Sequence, residues 1–148
     1  MAADHAGMLT ASVEYDVPVG VAFAYLADPR NRPQWQSSLR SVELLDEGEP
    51  RVGMRWRDHT AARIVPDMEI TELVPDVVWA ETGRWHAVEA DLTLGFSPSE
   101  QGCSVAVSFG VRGRGLLRPV GWAATRAGLF AVRGDLRKAG RILAARAR

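Results

Sequence analysis

Residues 17–35, with the sequence VPVGVAFAYLADPRNRPQW, contain the pattern that decides the fold. Pro18 suits the first turn of a helix, where a missing backbone N–H costs nothing, and apolar residues recur at helical spacing from Val21 to Leu26. The pair Asp28-Pro29 is expected to end this helix. Asn31 is expected to cap a second short helix. The stretch therefore predicts two short helices in close succession.

Strand patterns lie on both sides of these helices. Residues 9–17 alternate between apolar and polar side chains, which is the period of a half-buried strand. After the helices, six more strands are predicted at Leu39 to Glu47, Gly53 to Thr60, Arg63 to Leu73, Val77 to His86, Val88 to Ser97 and Cys103 to Val111. Turn residues separate most of them, so we expect antiparallel hairpins, with one bend between Gly83 and Ala87. Pro66 makes the start of its strand irregular.

A long helix is predicted at the C-terminal end, from about Leu116 to Ala145, with apolar side chains along one face. Four glycines weaken it, at positions 121, 128, 134 and 140, which predicts close packing or a bend. The predicted class is α+β: a curved antiparallel sheet of about seven strands wrapped on the long helix, with two short helices after the first strand. We expect one ligand-binding domain over residues 1–148, with residues 1–7 as a flexible tail.

The composition is that of an ordinary globular domain. The 148 residues are 47% hydrophobic and 24% charged, which excludes disorder and low complexity. The single cysteine, Cys103, lacks neighbours at metal-ligand spacing, so we predict neither a metal nor a cofactor and expect a reducing, cytoplasmic setting. No apolar run is long enough to span a membrane, and the first residues do not resemble an export signal.

Charge is distributed unevenly along the chain. Residues 1–111 contain 17 acidic residues and 8 arginines, whereas residues 112–148 contain 10 basic residues and Asp135 as their one acid. Such a basic segment is compatible with an anionic partner. A simpler interpretation is that arginines cover the solvent face of the last helix and the acidic remainder neutralises them. Because no nucleic-acid motif accompanies the charge, no nucleic-acid partner is predicted.

Four segments carry a resemblance to a known family: YDVPVGVAFAYLADPRNRPQW (15–35), GMRW (53–56), DMEITELVPDVVWAE (67–81) and GLLRPVG (115–121). Together they resemble the START-like superfamily, also called SRPBCC, which includes polyketide cyclase/dehydrase proteins and birch-pollen-allergen-like ligand carriers. The resemblance implies a helix-grip fold with an internal cavity for an apolar or aromatic small molecule. It implies no catalytic residues, because the members share no catalytic triad.

The candidate ligand-binding residues are apolar side chains that alternation and helical spacing place on inward faces. From the sheet they are Trp56, Met68, Ile70, Trp79, Trp85, Phe96 and Phe109, and from the last helix Trp122, Leu129 and Val132. An apolar lining with a few polar groups is typical of a small-molecule site. The alternative is that the tryptophans fill the core.

Asp58 and Glu81, with Glu72 as an alternate, are the candidate polar and catalytic groups of that cavity. Each has apolar neighbours two positions away in its strand, and an apolar cavity raises the pKa of a carboxyl group, which favours acid or base chemistry. The alternative is a carboxylate paired with a nearby arginine, such as Arg55, Arg57 or Arg84. The histidines at positions 59 and 86 alternate onto the outer face.

Three functions remain open from the sequence. The first is the binding of a small apolar ligand for transport, sequestration or sensing. The second is a polyketide cyclase or dehydratase that uses inward carboxylates as acid and base. The third is a regulatory protein that binds a partner through the basic last helix. The expected oligomeric state is a monomer or a homodimer.

Overall fold

The computed structural model describes residues 8–148, so the tail expected over residues 1–7 lies outside the described part. In chain order the elements are β1 (Leu9–Tyr15), α1 (Val19–Ala27), a 3-10 turn (Pro29–Asn31), α2 (Arg32–Trp35), β2 (Leu39–Leu44), β3 (Arg55–Thr60), β4 (Asp67–Val74), β5 (Val78–Trp85), β6 (Val88–Pro98), β7 (Cys103–Gly113), a second 3-10 turn (Gly115–Leu117) and α3 (Arg118–Arg146).

The seven strands form one antiparallel sheet in the order β1-β7-β6-β5-β4-β3-β2. Consecutive strands from β2 to β7 are neighbours, and β1 pairs with β7 at the far edge. The long helix α3 packs against β1 and β7. The predicted α+β helix-grip architecture is therefore confirmed. Among the described residues, no helix combines the length and apolar character needed to cross a membrane.

Turn chemistry sets several boundaries differently from the sequence prediction. β4 begins at Asp67, after Pro66, because proline lacks the N–H that a paired strand needs. The bend between β5 and β6 is at His86 and Ala87, inside the range predicted for it, and His86 adopts a left-handed φ of 51°. Asn31 does not cap α2: its side-chain amide donates instead to the Tyr25 carbonyl at 3.0 Å. This bond fixes the turn between α1 and α2.

A register shift interrupts the pairing of β4 with β5. Ile70 pairs with Glu81, but the next pair joins Glu72 to Ala80, so Thr71 is an extra residue in β4. Such a bulge reverses the side on which the following side chains lie. As a result Glu72 is exposed, and Leu73 packs against the core in its place. The expectation that Glu72 faces the interior is wrong for this reason.

The glycines of α3 allow the helix to approach the sheet closely. A Cβ on Gly128 would lie 2.2 Å from the Phe109 ring, and one on Gly121 would lie 2.8 Å from the Val111 carbonyl oxygen. Gly140 leaves room for the Tyr15 ring, whose hydroxyl donates to the Leu136 carbonyl at 2.6 Å. Close packing thus accounts for three of the four glycines that the sequence singled out.

Candidate functional site

A pocket of about 390 Å³ lies on the inner face of the sheet, beside α2. Most of its lining is apolar, and partly exposed side chains, Ile64 and Trp85, lie where it meets solvent. The full lining is Arg32, Gln36, Asp58, Ile64, Pro66, Met68, Glu81, Gly83, Trp85, Val88, Ala90, Asp91, Leu92, Phe109 and Val111. The absence of a side chain at Gly83 matters for its shape, because a Cβ there would lie 2.7 Å from the Met68 sulfur.

The polar part of the lining is a buried cluster of Arg32, Asp58 and Glu81. Arg32 begins α2, and Trp35 follows it one turn later on the same side of this short helix; both side chains are fully buried. Asp58 follows Trp56 along the inward face of β3. Glu81 points inward from the middle of β5. Two strands and the short helix therefore bring the three charges together.

Hydrogen bonds join the three side chains. Arg32 Nη1 donates to Glu81 Oε2 at 2.8 Å, and Arg32 Nη2 donates to Glu81 Oε1 at 3.3 Å and to Asp58 Oδ2 at 2.9 Å. The indole N–H of Trp56 donates to the other oxygen, Asp58 Oδ1, at 2.9 Å. The guanidinium of Arg32 also lies 5.3 Å from the centre of the Trp56 ring. The carboxylates are thus oriented rather than free to rotate.

This cluster has one positive charge and two carboxyl groups, so the cluster as a whole has a negative formal charge when both carboxyl groups are ionised. Burial raises the pKa of Glu81 to about 7; Arg32 lowers it in part, and the charge of Asp58 raises it further. Burial by itself lowers the pKa of Arg32, but Glu81 and Asp58 more than reverse this, so its pKa lies above the ordinary value and Arg32 stays charged. Glu81 therefore exchanges a proton near neutral pH.

The structure divides the predicted aromatic and apolar lining into pocket residues, core residues and one exposed residue, Trp122. Met68, Trp85 and Phe109 line the pocket. Trp56, Ile70, Trp79 and Phe96 are buried in the core around it, where Phe96 packs edge to face on Phe23 with ring centres 5.1 Å apart. Val132 and Leu129 also belong to the core packing rather than to the pocket. These six residues therefore fill the core, as in the alternative interpretation, and do not line the pocket.

Trp122 does not lie at the pocket. Its side chain is 67% exposed on the outer side of α3, and the Arg126 guanidinium stacks over it, 4.4 Å from the ring centre. The inward side of the same turn is taken by Gly121 and Thr125, which are buried against β7. Small residues allow the close approach that an indole would prevent, so α3 turns Trp122 outward.

Among the lining residues that the sequence analysis did not name, Arg32 is the one that joins the two carboxylates. The expected partners are wrong: Arg55 pairs with Asp46, Arg57 with Asp67 and Arg84 with Glu89, all on exposed surface. Arg32 lies 26 positions from Asp58 and 49 from Glu81, so sequence proximity gave no indication of these contacts. The one available signal was its position one helical turn before Trp35, which places both on the same side of α2.

One known protein family matches nearly the whole chain. The family described as "Polyketide cyclase / dehydrase and lipid transport" matches residues 7–148. No curated relative matches the sequence.

Solved structures share the fold. The di-domain ARO/CYC StfQ of the steffimycin biosynthetic pathway superposes with a TM-score of 0.77 at 13% identity, over 95% of this chain and 52% of StfQ. A START superfamily protein from Mycobacterium smegmatis gives a TM-score of 0.74 at 12% identity, over 92% and 98% of the two chains. Protein DR_A0006 from Deinococcus radiodurans gives 0.61 at 21% identity, over 90% and 94%. This chain therefore spans about half of StfQ and nearly the whole of the other two.

Proposed function

Because the chain belongs to the polyketide cyclase/dehydrase and lipid transport family, we propose that it binds a small, largely apolar or aromatic molecule in the pocket beside α2. The apolar part of the ligand packs on Met68, Leu92 and Phe109. A polar group of the ligand reaches the cluster of Arg32, Asp58 and Glu81. The observation that carries the proposal is the combination of a mainly apolar lining with one buried, hydrogen-bonded charge cluster in the same pocket.

The test of ligand binding uses two neutral probes, 2-naphthol and 1-decanol, in calorimetric titrations. Each combines an apolar body with one hydroxyl, which matches the composition of the lining. We expect saturable binding of at least one probe. Absence of both binding heat and thermal stabilisation with the two probes would overturn the proposal, because a ligand that binds only the folded state raises its stability.

Matched variants locate the binding site. Ala90→Phe places a ring into the lining and is expected to weaken binding, whereas Ala106→Phe adds the same ring at an exposed position of β7. Should Ala90→Phe unfold, Trp85→Ala removes a contact at the exposed side of the pocket instead. Equal affinities for the wild type, Trp85→Ala and a folded Ala90→Phe variant would place the ligand elsewhere.

A second candidate function is the cyclisation of a poly-β-keto chain, favoured by the raised pKa of Glu81. As a carboxylate, Glu81 takes a proton from a carbon between two carbonyl groups. The resulting enolate carbon attacks a second carbonyl carbon of the same chain, and the protonated Glu81 returns the proton to the new alkoxide. Arg32 keeps the carboxyl group in place throughout.

Turnover of a linear poly-β-keto thioester tests this candidate. Glu81→Gln is expected to lower the rate by about a hundredfold or more, the range typical of removing a general acid–base group. Glu72→Gln, at an exposed position, is the matched control and is expected to keep the wild-type rate. A wild-type rate no higher than the buffer reaction, or full activity in Glu81→Gln, would leave ligand binding as the only proposed function.

A further inference from the structure

The first half of α3 and the 3-10 turn before it have an apolar surface on the side that faces solvent. Leu116 is 98% exposed, Val120 53% and Phe130 85%. Ala123 and Ala127 continue the same stripe at helical spacing and are also exposed. We call this set, Leu116, Val120, Ala123, Ala127 and Phe130, the outer apolar stripe.

The opposite side of the same helical turns is already occupied. Gly121 and Gly128 lie against Val111 and Phe109 of β7, and Val132 is in the core. This part of α3 is therefore apolar on both sides, whereas a surface helix of a globular protein ordinarily has a polar outer face. The second half of α3 follows the ordinary pattern, because Arg137, Lys138 and Arg141 are exposed there.

Four arginines are close in sequence to the outer apolar stripe. Arg114, Arg118, Arg126 and Arg133 are all exposed, and in the described part of the chain no acidic side chain forms an ion pair with any of them. Trp122 lies beside the stripe, with the Arg126 guanidinium over its ring. Exposed Trp, Phe and Leu next to unpaired arginines are the composition of helices that lie in a membrane interface.

We propose that this face of α3 docks onto a bilayer that contains anionic lipids, with the outer apolar stripe between the lipid headgroups and the arginines against their phosphates. The charge of the segment argues against a second copy of the chain, since pairing two such faces would bring both sets of arginines together. The apolar centre of the face argues against a nucleic acid, whose backbone offers charge but little apolar surface.

The position of this face relates docking to the ligand pocket. Phe109 and Val111 line the pocket, and the same two residues contact Gly128 and Gly121 of α3. The proposed membrane face and the ligand pocket are therefore on opposite sides of one helix layer. The docking proposal itself stands whether or not a ligand binds.

Sedimentation with lipid vesicles tests the proposal. Vesicles of phosphatidylcholine and phosphatidylglycerol in equal parts are expected to bind the wild-type chain. Vesicles of phosphatidylcholine alone are expected to bind it more weakly by a factor of about ten at least, since each arginine near an anionic surface contributes about 1 kcal/mol. Raising the salt concentration is expected to release the protein. Failure to bind the anionic vesicles, or equal binding to both kinds, would overturn the proposal.

Paired variants then identify the surface. Val120→Asp with Phe130→Asp is expected to abolish vesicle binding, whereas Val52→Asp, at a residue 60% exposed in the loop before β3, is expected to leave it unchanged. Arg114→Glu with Arg118→Glu is expected to weaken binding about tenfold or more, and Arg40→Glu on β2 is the charge control.

Three outcomes of these comparisons would contradict the proposal. Equal losses in the Val52→Asp and Val120→Asp/Phe130→Asp variants would show that the stripe is not the contact. A concentration-dependent dimer that disappears in Val120→Asp/Phe130→Asp, without vesicle binding by the wild type, would assign the stripe to a second copy. Tight binding of duplex DNA without vesicle binding would assign the arginines to a nucleic acid.

Discussion

Arg32 donates two hydrogen bonds to Glu81, at 2.8 and 3.3 Å, from a helix of four residues to the middle of a strand. The pair is fully buried, and Asp58 takes the third bond of the guanidinium. Because a buried charge is tolerated only with partners, this arrangement determines both the position of α2 on the sheet and the polarity of the pocket.

Replacing Arg32 tests the stability of that arrangement. Arg32→Met leaves two buried carboxyl groups without their partner, and we expect the free energy of unfolding to fall by about 3–5 kcal/mol. Arg55→Met is the matched control, because its pair with Asp46 lies on exposed surface and is expected to contribute about 1 kcal/mol or less. Urea denaturation measures both. Similar losses in the two variants would contradict the importance assigned to the buried cluster.

Glu81 is expected to make the stability depend on pH. Its pKa is about 7 in the folded protein against an ordinary value of 4.5, so between these values the folded state binds more protons than the unfolded state. The free energy of unfolding contributed by Glu81 therefore decreases as pH rises through this window. Glu81→Gln removes the effect, so its stability relative to the wild type should increase from pH 4.5 to pH 7.

Denaturation curves at several pH values measure this difference. Its expected size is up to about 3 kcal/mol, from the size of the pKa shift. Glu72→Gln serves as control and should follow the wild type at each pH, because its side chain is exposed. A constant difference between Glu81→Gln and the wild type across the window would contradict the assignment of a raised pKa to Glu81.

Two glycines of α3 give opposite predictions for the same substitution. Gly128→Ala should lower the melting temperature, because its Cβ would lie 2.2 Å from the Phe109 ring and overpacking costs about 1–3 kcal/mol. Gly134→Ala meets nothing within 4 Å and should raise stability by about 1 kcal/mol through helix propensity. Thermal unfolding compares them, and stabilisation by both substitutions would show that α3 does not pack so closely at Gly128.

The Tyr15 hydroxyl links the edge of the sheet to α3. Burial holds its pKa above the ordinary value, so Tyr15 stays protonated and donates to the Leu136 carbonyl. Tyr15→Phe removes this bond, and we expect a loss of about 1 kcal/mol in the free energy of unfolding. Tyr25→Phe is the comparison, because the Tyr25 hydroxyl donates to Gln34 in a partly exposed position. This variant should lose less free energy of unfolding than Tyr15→Phe. Chemical denaturation measures both losses, and an equal or smaller loss in Tyr15→Phe would contradict this link.

Local patterns determined the fold because the responsible interactions are close in sequence. Alternation along the strands, turn residues between them and Pro18 at the start of α1 each act over a few residues, and together they predicted the sheet and helices. The inward faces of β3 and β5 also followed from alternation, since no bulge interrupts either strand between Trp56 and Asp58 or between Trp79 and Glu81.

The remaining features depended on contacts between distant segments. The bulge at Thr71 is a property of the pairing between β4 and β5, so the sequence of β4 alone did not indicate that Glu72 turns outward. Arg32 contacts Asp58 and Glu81 through the packing of α2 against the sheet, which joins segments 26 and 49 positions apart. Helical spacing described the apolar residues of α3 but not which side meets the sheet, because its first half carries apolar or small residues on two opposite sides. The tertiary structure decided this through Gly121 and Gly128, since close packing requires small residues at the contact and therefore leaves Trp122 and Phe130 facing out.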